Sequence, residues 1–144
     1  MPSGGIEVLI LGVDPGTRNC GLVVINGAGR VLARETIQNP RSWPLMRCVA
    51  RIVDRISQGE MASPVVVVEE VVWQGRRGML PLAHVAGAVV GAAYAMGRVV
   101  YLLTPSMKKN GRKPKAFSEH EWDAYLLARR ALRPDAVMKR RCTH

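Results

Sequence analysis

The chain has 144 residues, of which 48% are hydrophobic and 22% are charged. This length fits one folded domain and excludes two-domain kinases and actin-like ATPases, and three scattered cysteines exclude a disulfide scaffold. The formal net charge is +10, and because the whole excess of lysine and arginine lies in residues 73–144, it indicates a polyanionic partner.

The first part of the chain predicts an antiparallel meander. Apolar runs predict three strands, at residues 6–13, 20–25 and 31–36. The turn signatures Asp14-Pro15-Gly16 and Asn26-Gly27 separate them. Strands joined by turns this short pair with their neighbours in opposite directions.

The rest of the chain alternates helix and strand. An amphipathic helix is expected after Ser42, and the β-branched run at residues 65–68 is typical of a strand buried on both faces. A small-residue helix over 80–97 and a strand over 98–104 follow. Ser118 opens the last helix with a capping box, and this helix runs to about residue 132.

This order predicts an α/β fold with a five-stranded mixed sheet. Three antiparallel strands come first, parallel strands follow, and helices lie on both faces. We expect one domain over residues 1–144, with a short, mobile basic tail from about residue 134. No secretory signal is recognised, so the expected location is cytoplasmic.

Four side chains with metal-binding chemistry follow buried strands or open the last helix. Asp14 comes directly after the first strand, and Glu69 follows the valines of the fourth. If these strands are parallel neighbours, both carboxylates emerge at the carboxyl edge of the sheet, where sites of open α/β sheets form. His120 and Asp123 are three residues apart on a helix and share a face. Carboxylates with one imidazole suit Mg²⁺ or Mn²⁺.

Each of these residues also has an ordinary structural explanation. Asp14 lies in an Asp-Pro-Gly sequence that is typical of a turn, and Glu69 can be an exposed strand end. Asp123 can complement the dipole of its helix, and His120 can be a solvated residue near the cap. The joint pattern favours a site, because each acid follows a buried strand or opens a helix that can cover that edge.

Three segments, in this order, resemble the motifs of the RuvC family of Holliday-junction resolvases, which has the RNase H-like fold. They are ILGVDPGTRNCGLVVI with Asp14, VVVEEVVW with Glu69, and the helix start HEWDA with His120 and Asp123. The resemblance covers roughly residues 6–132. It implies a DNA endonuclease in which these four residues are catalytic and hold two ions of Mg²⁺ or Mn²⁺. It also implies a homodimer that resolves branched DNA in recombination and repair.

The resemblance leaves some assignments open. Glu70 is the alternative second carboxylate, and Glu69 is preferred because one polar and then one apolar residue follow it. His120 is either a metal ligand or a general base. The connection over 105–117 is shorter than is usual in the family, as in a compact, phage-like form.

The candidate DNA-binding residues are one tryptophan and a set of basic side chains. Trp73 follows the second motif and is a candidate for stacking on an unpaired base, although a core position explains it equally well. The phosphate-binding candidates are Arg76, Arg77, Lys108, Lys109, Arg112, Lys113 and Lys115. Gly87 and Gly91 allow a neighbour to approach their helix closely, either a second subunit or the sheet of the same chain.

Two other functions fit the same residues. A related RNase H-like group processes ribosomal RNA precursors and opens with a similar Asp, Gly-Thr and Arg, as residues 14–18 do here. A branched-DNA-binding module would have the fold without the catalysis. Cleavage of a DNA junction separates the resolvase from the RNA-processing group. Loss of cleavage with retained binding on removal of Asp14 excludes the module.

Overall fold

The computed structural model describes residues 8–16, 18–38, 50–51, 54, 65–69, 79–103, 112–132 and 140–142. The strands in these ranges are β1 (Leu9–Asp14), β2 (Asn19–Asn26), β3 (Val31–Gln38), β4 (Val65–Glu69), β5 (Val100–Leu103) and β6 (Arg140–Cys142). The helices whose bounds lie within the described ranges are α1 (Met79–Ala95) and α2 (Glu119–Arg130).

The first three strands form the predicted antiparallel meander. β1 pairs with β2, and β2 pairs with β3, in opposite directions. Asn26 builds the second turn, because its side-chain oxygen accepts hydrogen bonds from the backbone N–H groups of Ala28 at 3.0 Å and Arg30 at 2.9 Å. Gly29 follows with a φ of +86°, which favours glycine. The Asn-Gly signal therefore marks the correct turn.

The central strands are parallel and are buried on both faces. The order across the sheet is β3-β2-β1-β4-β5-β6, and β4 runs parallel to both β1 and β5. Val66, Val67 and Val68 are fully buried, which explains the continuous β-branched run in β4. β1 and β4 are thus the parallel neighbours that the placement of Asp14 and Glu69 requires.

The two sheet faces are covered by different helices. α1 packs on one face, where Val85 lies in the same core cluster as Leu11. α2 packs on the other face, where Ala124 lies in a second core cluster with Ile10 and Val67. Successive residues of β1 therefore contribute to opposite layers, as the alternation of side chains in a strand requires.

The sixth strand corrects the expectation for the tail. The sequence predicts a mobile basic tail, but residues 140–142 pair antiparallel with β5. This Arg-Arg-Cys segment has no apolar alternation, so its pairing depends on the backbone groups of the β5 edge and not on a side-chain pattern. The five predicted strands are confirmed, and β6 extends the sheet at one edge.

The helices agree with the sequence where the structure describes them. α1 lies within the small-residue helix predicted over 80–97, and α2 follows Ser118 as the capping box predicts. Residues 50, 51 and 54 are helical, and the rest of the helix expected after Ser42 lies outside the described residues. None of the described helices is long and apolar enough to cross a membrane.

Candidate active site

Asp14 and Glu69 end two adjacent parallel strands, β1 and β4. The register pairs Val13 with Val68, so the two acids are the next residue on each strand. Because neighbouring strands lie about 4.8 Å apart, this register brings both residues to one edge of the sheet. Asp14 is only 8% exposed, whereas Glu69 is half-buried.

Both acids belong to the face of the sheet that α2 covers. Side chains alternate along a strand, so Asp14 shares a side with Ile10, and Glu69 shares a side with Val67. Ile10 and Val67 belong to the core cluster beneath α2, and so does Leu103, the register partner of Glu69. The two carboxylates therefore lie at the edge of the face against which α2 packs.

Two glycines allow α2 to lie very close to this face. A Cβ atom on Gly21 would clash with the carbonyl oxygen of His120, and one on Gly12 would clash with that of Ala124. Gly21 is also the antiparallel register partner of Asp14. The first turn of α2 therefore packs directly beside Asp14, in space that any other residue at position 21 would fill.

The start of α2 is closed by a complete capping box. The Ser118 hydroxyl accepts the backbone N–H of Glu121 at 3.0 Å, and the Glu121 carboxylate accepts the backbone N–H of Ser118 at 3.1 Å. These two bonds satisfy N–H groups that a helix otherwise leaves without partners. The first turn of α2, which carries His120, is thereby held in a defined geometry.

Two residues of β3 bind the same carboxylate and anchor the helix start to the sheet. Arg34 donates from Nη1 to Glu121 Oε1 at 2.9 Å and to the carbonyl oxygen of Ala116 at 2.7 Å. The Thr36 hydroxyl donates to Glu121 Oε2 at 2.9 Å and lies 2.6 Å from the Ser118 hydroxyl oxygen. Sequence reasoning missed Arg34 and Thr36, because the capping box indicates only the local bonds of Glu121.

Glu121 stays ionised in this setting although it is 7% exposed. Burial by itself raises the pKa of Glu121. The hydrogen bonds from the Ser118 backbone, the Thr36 hydroxyl and the Arg34 guanidinium outweigh burial and hold this pKa below its usual value of 4.5. The carboxylate is therefore a charged anchor for the start of α2.

We expect the Glu121→Gln variant to lose about 1.5–3 kcal/mol of its free energy of unfolding at neutral pH, since it removes charge-assisted hydrogen bonds. Because the pKa of Glu121 is lower in the folded state, its ionised form stabilises the protein at pH values above the usual pKa of 4.5. This stabilisation is lost as the pH falls through the folded-state pKa. Urea unfolding between neutral pH and about pH 3 should therefore show the two proteins converging in acid.

Glu119→Gln is the matched control, because Glu119 is exposed on the same helical turn. Its effect should be about 0.5 kcal/mol or less. Equal losses in both variants would show that the buried network around Glu121 does not anchor the helix.

His120 is brought into contact with Asp14. The distance between His120 Nδ1 and Asp14 Oδ2 is 3.5 Å, and the imidazole remains 39% exposed to solvent. Asp123 is half-buried on the next turn of the same helix. Of the four predicted catalytic residues, the structure thus pairs Asp14 with His120, and it places Glu69 on the same face and edge of the sheet.

The donor types at this edge fit a divalent cation. Carboxylate oxygens are the ligands that Mg²⁺ and Mn²⁺ prefer, and an imidazole is compatible with Mn²⁺. The nearly buried carboxylate of Asp14 would interact strongly with such an ion, because little water screens its charge. Among the described residues, no three His, Cys, Asp or Glu side chains lie close enough together to hold a metal ion. The fit therefore rests on the donor types and their shared edge.

The predicted DNA-binding residues are only partly described. Arg112 and Lys115 are exposed in the segment before α2. Lys113 is half-buried, and its Nζ donates to the carbonyl oxygen of Phe117 at 2.7 Å, so it also holds this segment in place. The remaining candidates lie outside the described residues, and they are Trp73, Arg76, Arg77, Lys108 and Lys109. The alternative acid Glu70 also lies outside them.

Comparison with known proteins decides the family. The family model described as "Crossover junction endodeoxyribonuclease RuvC" matches residues 10–118, which is more than half of the chain. The chain belongs to the RuvC family. RuvC proteins are junction-resolving nucleases that depend on a divalent metal. The matched region contains Asp14 and Glu69 and ends at Ser118, just before His120.

Curated RuvC proteins are similar over most of the chain. The protein from Corynebacterium jeikeium (strain K411) is 30% identical over 118 residues, which cover 74% of this chain and 72% of that protein. The protein from Anaeromyxobacter dehalogenans (strain 2CP-C) is 30% identical, over 75% of this chain and 64% of that protein. The chain thus spans about two thirds of the length of these RuvC proteins.

Two solved structures share the fold. A Thermus thermophilus RuvC in complex with its Holliday junction substrate matches with a TM-score of 0.70 and 23% identity, over 87% of this chain and 93% of that one. A fowlpox virus resolvase, in complex with substrate Holliday junction DNA, matches with a TM-score of 0.57 and 14% identity, over 92% and 100%. These similarities confirm the predicted RNase H-like mixed sheet.

Proposed function

We propose that this chain is a metal-dependent endonuclease that resolves four-way DNA junctions by hydrolysing one phosphodiester bond in each of two strands. The observation that carries the proposal is the contact of His120 with Asp14, at the edge where Glu69 ends the adjacent parallel strand. The junction DNA bound by the Thermus thermophilus and fowlpox virus proteins supports the substrate class. The proposed location is the cytoplasm of a bacterial or phage-infected cell.

The proposed metal ligands are Asp14, Glu69 and Asp123, with His120 either as a further ligand or as the base that takes a proton from the attacking water. A pair of Mg²⁺ or Mn²⁺ ions at these residues would lower the pKa of that water and stabilise the leaving oxygen. Asp14 is nearly buried, so little water screens the charge of its carboxylate. Its attraction for a bound cation would therefore be stronger than that of an exposed carboxylate. The anchored first turn of α2 keeps His120 in place during the reaction.

Basic residues would hold the phosphates of the junction arms. Arg112 and Lys115 are exposed in the segment that leads into α2, the helix that carries His120 and Asp123. The net charge of +10 attracts DNA, and its neutralisation of phosphates releases counterions. Binding should therefore weaken steeply as the salt concentration rises.

The decisive experiment is cleavage of a labelled four-way junction with Mg²⁺, with Mn²⁺ and with EDTA, beside linear duplex and structured RNA. Paired symmetrical nicks in the junction that require metal are the expected result. Cutting of RNA alone would replace the proposal with an RNA-processing nuclease. Tight junction binding with no cut under any metal condition would make the chain a recognition module.

The choice between two neighbouring acids has its own test. We expect Glu69→Gln to abolish junction cleavage and Glu70→Gln to leave most of it, because Glu69 ends β4 on the face that carries Asp14. Initial cleavage rates of the two variants at saturating metal decide the matter. The opposite ranking would assign the ligand role to Glu70.

The proposed active form is a homodimer whose interface includes α1. One face of α1 carries Gly87, Ala88, Gly91 and Ala95, all exposed. At Gly87 and Gly91 no described atom lies within 4 Å of where a Cβ would stand. These glycines therefore do not serve close packing against the described sheet, which favours the approach of a second subunit.

We expect Ala88→Arg to convert a dimer into a monomer of 15.8 kDa and to replace paired nicks with single ones. The inserted guanidinium would meet its own copy across a twofold axis, and both size and like charge oppose that contact. Light scattering after size exclusion measures the mass. Ala28→Arg adds the same charge in an exposed turn and should leave the mass unchanged.

A further inference from the structure

A cluster of aromatic rings lies at the start of α2, partly outside the core. The chain has seven aromatic residues, and three of them, Phe117, Trp122 and Tyr125, lie here. The buried positions of α2 are Glu121, Ala124, Leu127 and Ala128, so Trp122 and Tyr125 occupy other positions of the helix. Tyr125 packs in part against the core beneath α2, whereas Trp122 is half-buried and belongs to neither described core cluster. Core packing therefore does not explain the ring of Trp122.

The three rings contact one another and remain half-buried. Trp122 and Tyr125 stack with centroids 5.0 Å apart at an interplanar angle of 24°. Phe117 meets both of them edge-on, at 5.8 Å and 6.0 Å. Each ring therefore keeps part of its surface in contact with solvent. The stack is already ordered in the protein alone, so a flat ligand would not have to order it.

Positive charges lie against these rings. The Arg34 guanidinium carbon lies 5.0 Å from the centroid of Phe117, and that of Arg129 lies 5.7 Å from the centroid of Tyr125. We call these five residues the aromatic–cationic patch: Arg34, Phe117, Trp122, Tyr125 and Arg129. Rings combined with cations are the composition by which proteins hold single-stranded nucleic acid.

The surroundings of the patch are mostly basic. Arg112 and Lys115 are exposed in the segment that leads to Phe117, and Lys113 bonds the Phe117 carbonyl oxygen. Glu121 is bound to Arg34 and is buried, while Glu119 is an exposed acid nearby. The cations thus outnumber the acids, and a second copy of the same surface would meet like charge.

Trp122 starts close to His120 along the helix but on the other side of it. It follows His120 by two residues, so the two side chains leave the helix about 3 Å apart along its axis and nearly opposite each other around it. The patch is therefore a surface separate from the candidate active site, on the helix that carries His120.

We propose that the aromatic–cationic patch binds an unpaired strand of the branched DNA, stacking a base on the Trp122–Tyr125 pair and holding the phosphates of that strand with Arg129. The proposal rests on the junction-resolving function and adds a second contact surface to it. Every base has a π-face, so this contact would be tolerant of sequence. It would act on strands that are unstacked, which are present at the branch point of a junction and absent from a linear duplex.

The test compares Trp122→Ala, Trp122→Phe and Leu126→Ala with the wild-type chain. Leu126 is half-buried four residues along the same helix, so its truncation removes apolar surface without removing a π-face. Anisotropy of labelled single-stranded DNA and of a labelled junction, both in EDTA, gives the dissociation constants. We expect Trp122→Ala to weaken single-strand binding about tenfold, with Trp122→Phe and Leu126→Ala close to wild type.

Wild-type affinity in Trp122→Ala, or an equal loss in Leu126→Ala, would overturn the proposal. Loss of dimer mass in Trp122→Ala with unchanged DNA binding would also overturn it, because the occupant would be a second copy. If Trp122→Ala fails to fold, Arg129→Gln tests the same patch. This variant should reduce the slope of the logarithm of the binding constant against the logarithm of the salt concentration by about 1, the loss of one phosphate contact.

The two proposals fail in different ways. A chain that binds single-stranded DNA through Trp122 but cuts no junction would refute the nuclease and keep the patch. A chain that cuts the junction while Trp122→Ala binds like the wild type would keep the nuclease and refute the patch.

Discussion

The Asp14→Asn variant should fold, should bind a four-way junction, and should cut it at least about 10³-fold more slowly than the wild-type chain. Asp14 ends β1 at the edge that it shares with Glu69, is nearly buried, and contacts His120. The amide has the same shape but no charge, so it binds a divalent ion far more weakly than the carboxylate does. The loss therefore falls on the chemical step and not on the binding of DNA.

The stability of this variant should stay within about 1 kcal/mol of that of the wild type. Asparagine keeps the shape of the side chain and its hydrogen-bond acceptor, and it removes a charge that the nearly buried position must keep partly out of water. Thermal unfolding in EDTA measures the difference. Unfolding at a clearly lower temperature would show that Asp14 serves the fold rather than the reaction.

Asp54→Asn is the control for the chemical change itself. Asp54 is an exposed acid that accepts from Arg51 at 3.1 Å, and exposed pairs of this kind contribute little to stability. Its cleavage rate should match the wild type. If Asp14→Asn keeps more than about a tenth of the wild-type rate, Asp14 is not a ligand of the reacting metal.

The parts of this fold that follow local patterns could be predicted from the sequence. The valines of β4 and the apolar run of β1 predicted buried strands, and the acids that follow them, Asp14 and Glu69, predicted the site edge. The capping box at Ser118 predicted where α2 begins. In each case the signal lies within a few residues of the feature it marks.

Contacts between distant segments could not be predicted in this way. Arg34 and Thr36 reach Glu121 across more than eighty residues of sequence, and no periodicity marks them as its partners. Nothing in the sequence around Gly12 and Gly21 shows that α2 packs against them. The edge strand β6 has no side-chain pattern at all. These features exist only after the chain has folded, since each depends on a helix or strand from another region.

We expect Gly21→Ala to reduce junction cleavage about 10²-fold at saturating substrate and to lower the free energy of unfolding by about 1–3 kcal/mol or more. The added methyl group would overlap the carbonyl oxygen of His120 and crowd the backbone N–H of Glu121. Both are backbone atoms of α2, so no side-chain rotation relieves the overlap. The helix start must move away from β2 and takes the imidazole of His120 away from Asp14.

Gly27→Ala separates this effect from the general cost of replacing a strand or turn glycine. Gly27 is exposed, and the nearest described atom to a Cβ there is Val8 Cβ at 4.0 Å, an ordinary van der Waals contact. Its cleavage rate and unfolding free energy should stay close to the wild type. A Gly21→Ala protein with wild-type rate and stability would mean that α2 does not pack on Gly21, and then the contact of His120 with Asp14 would lose its structural basis.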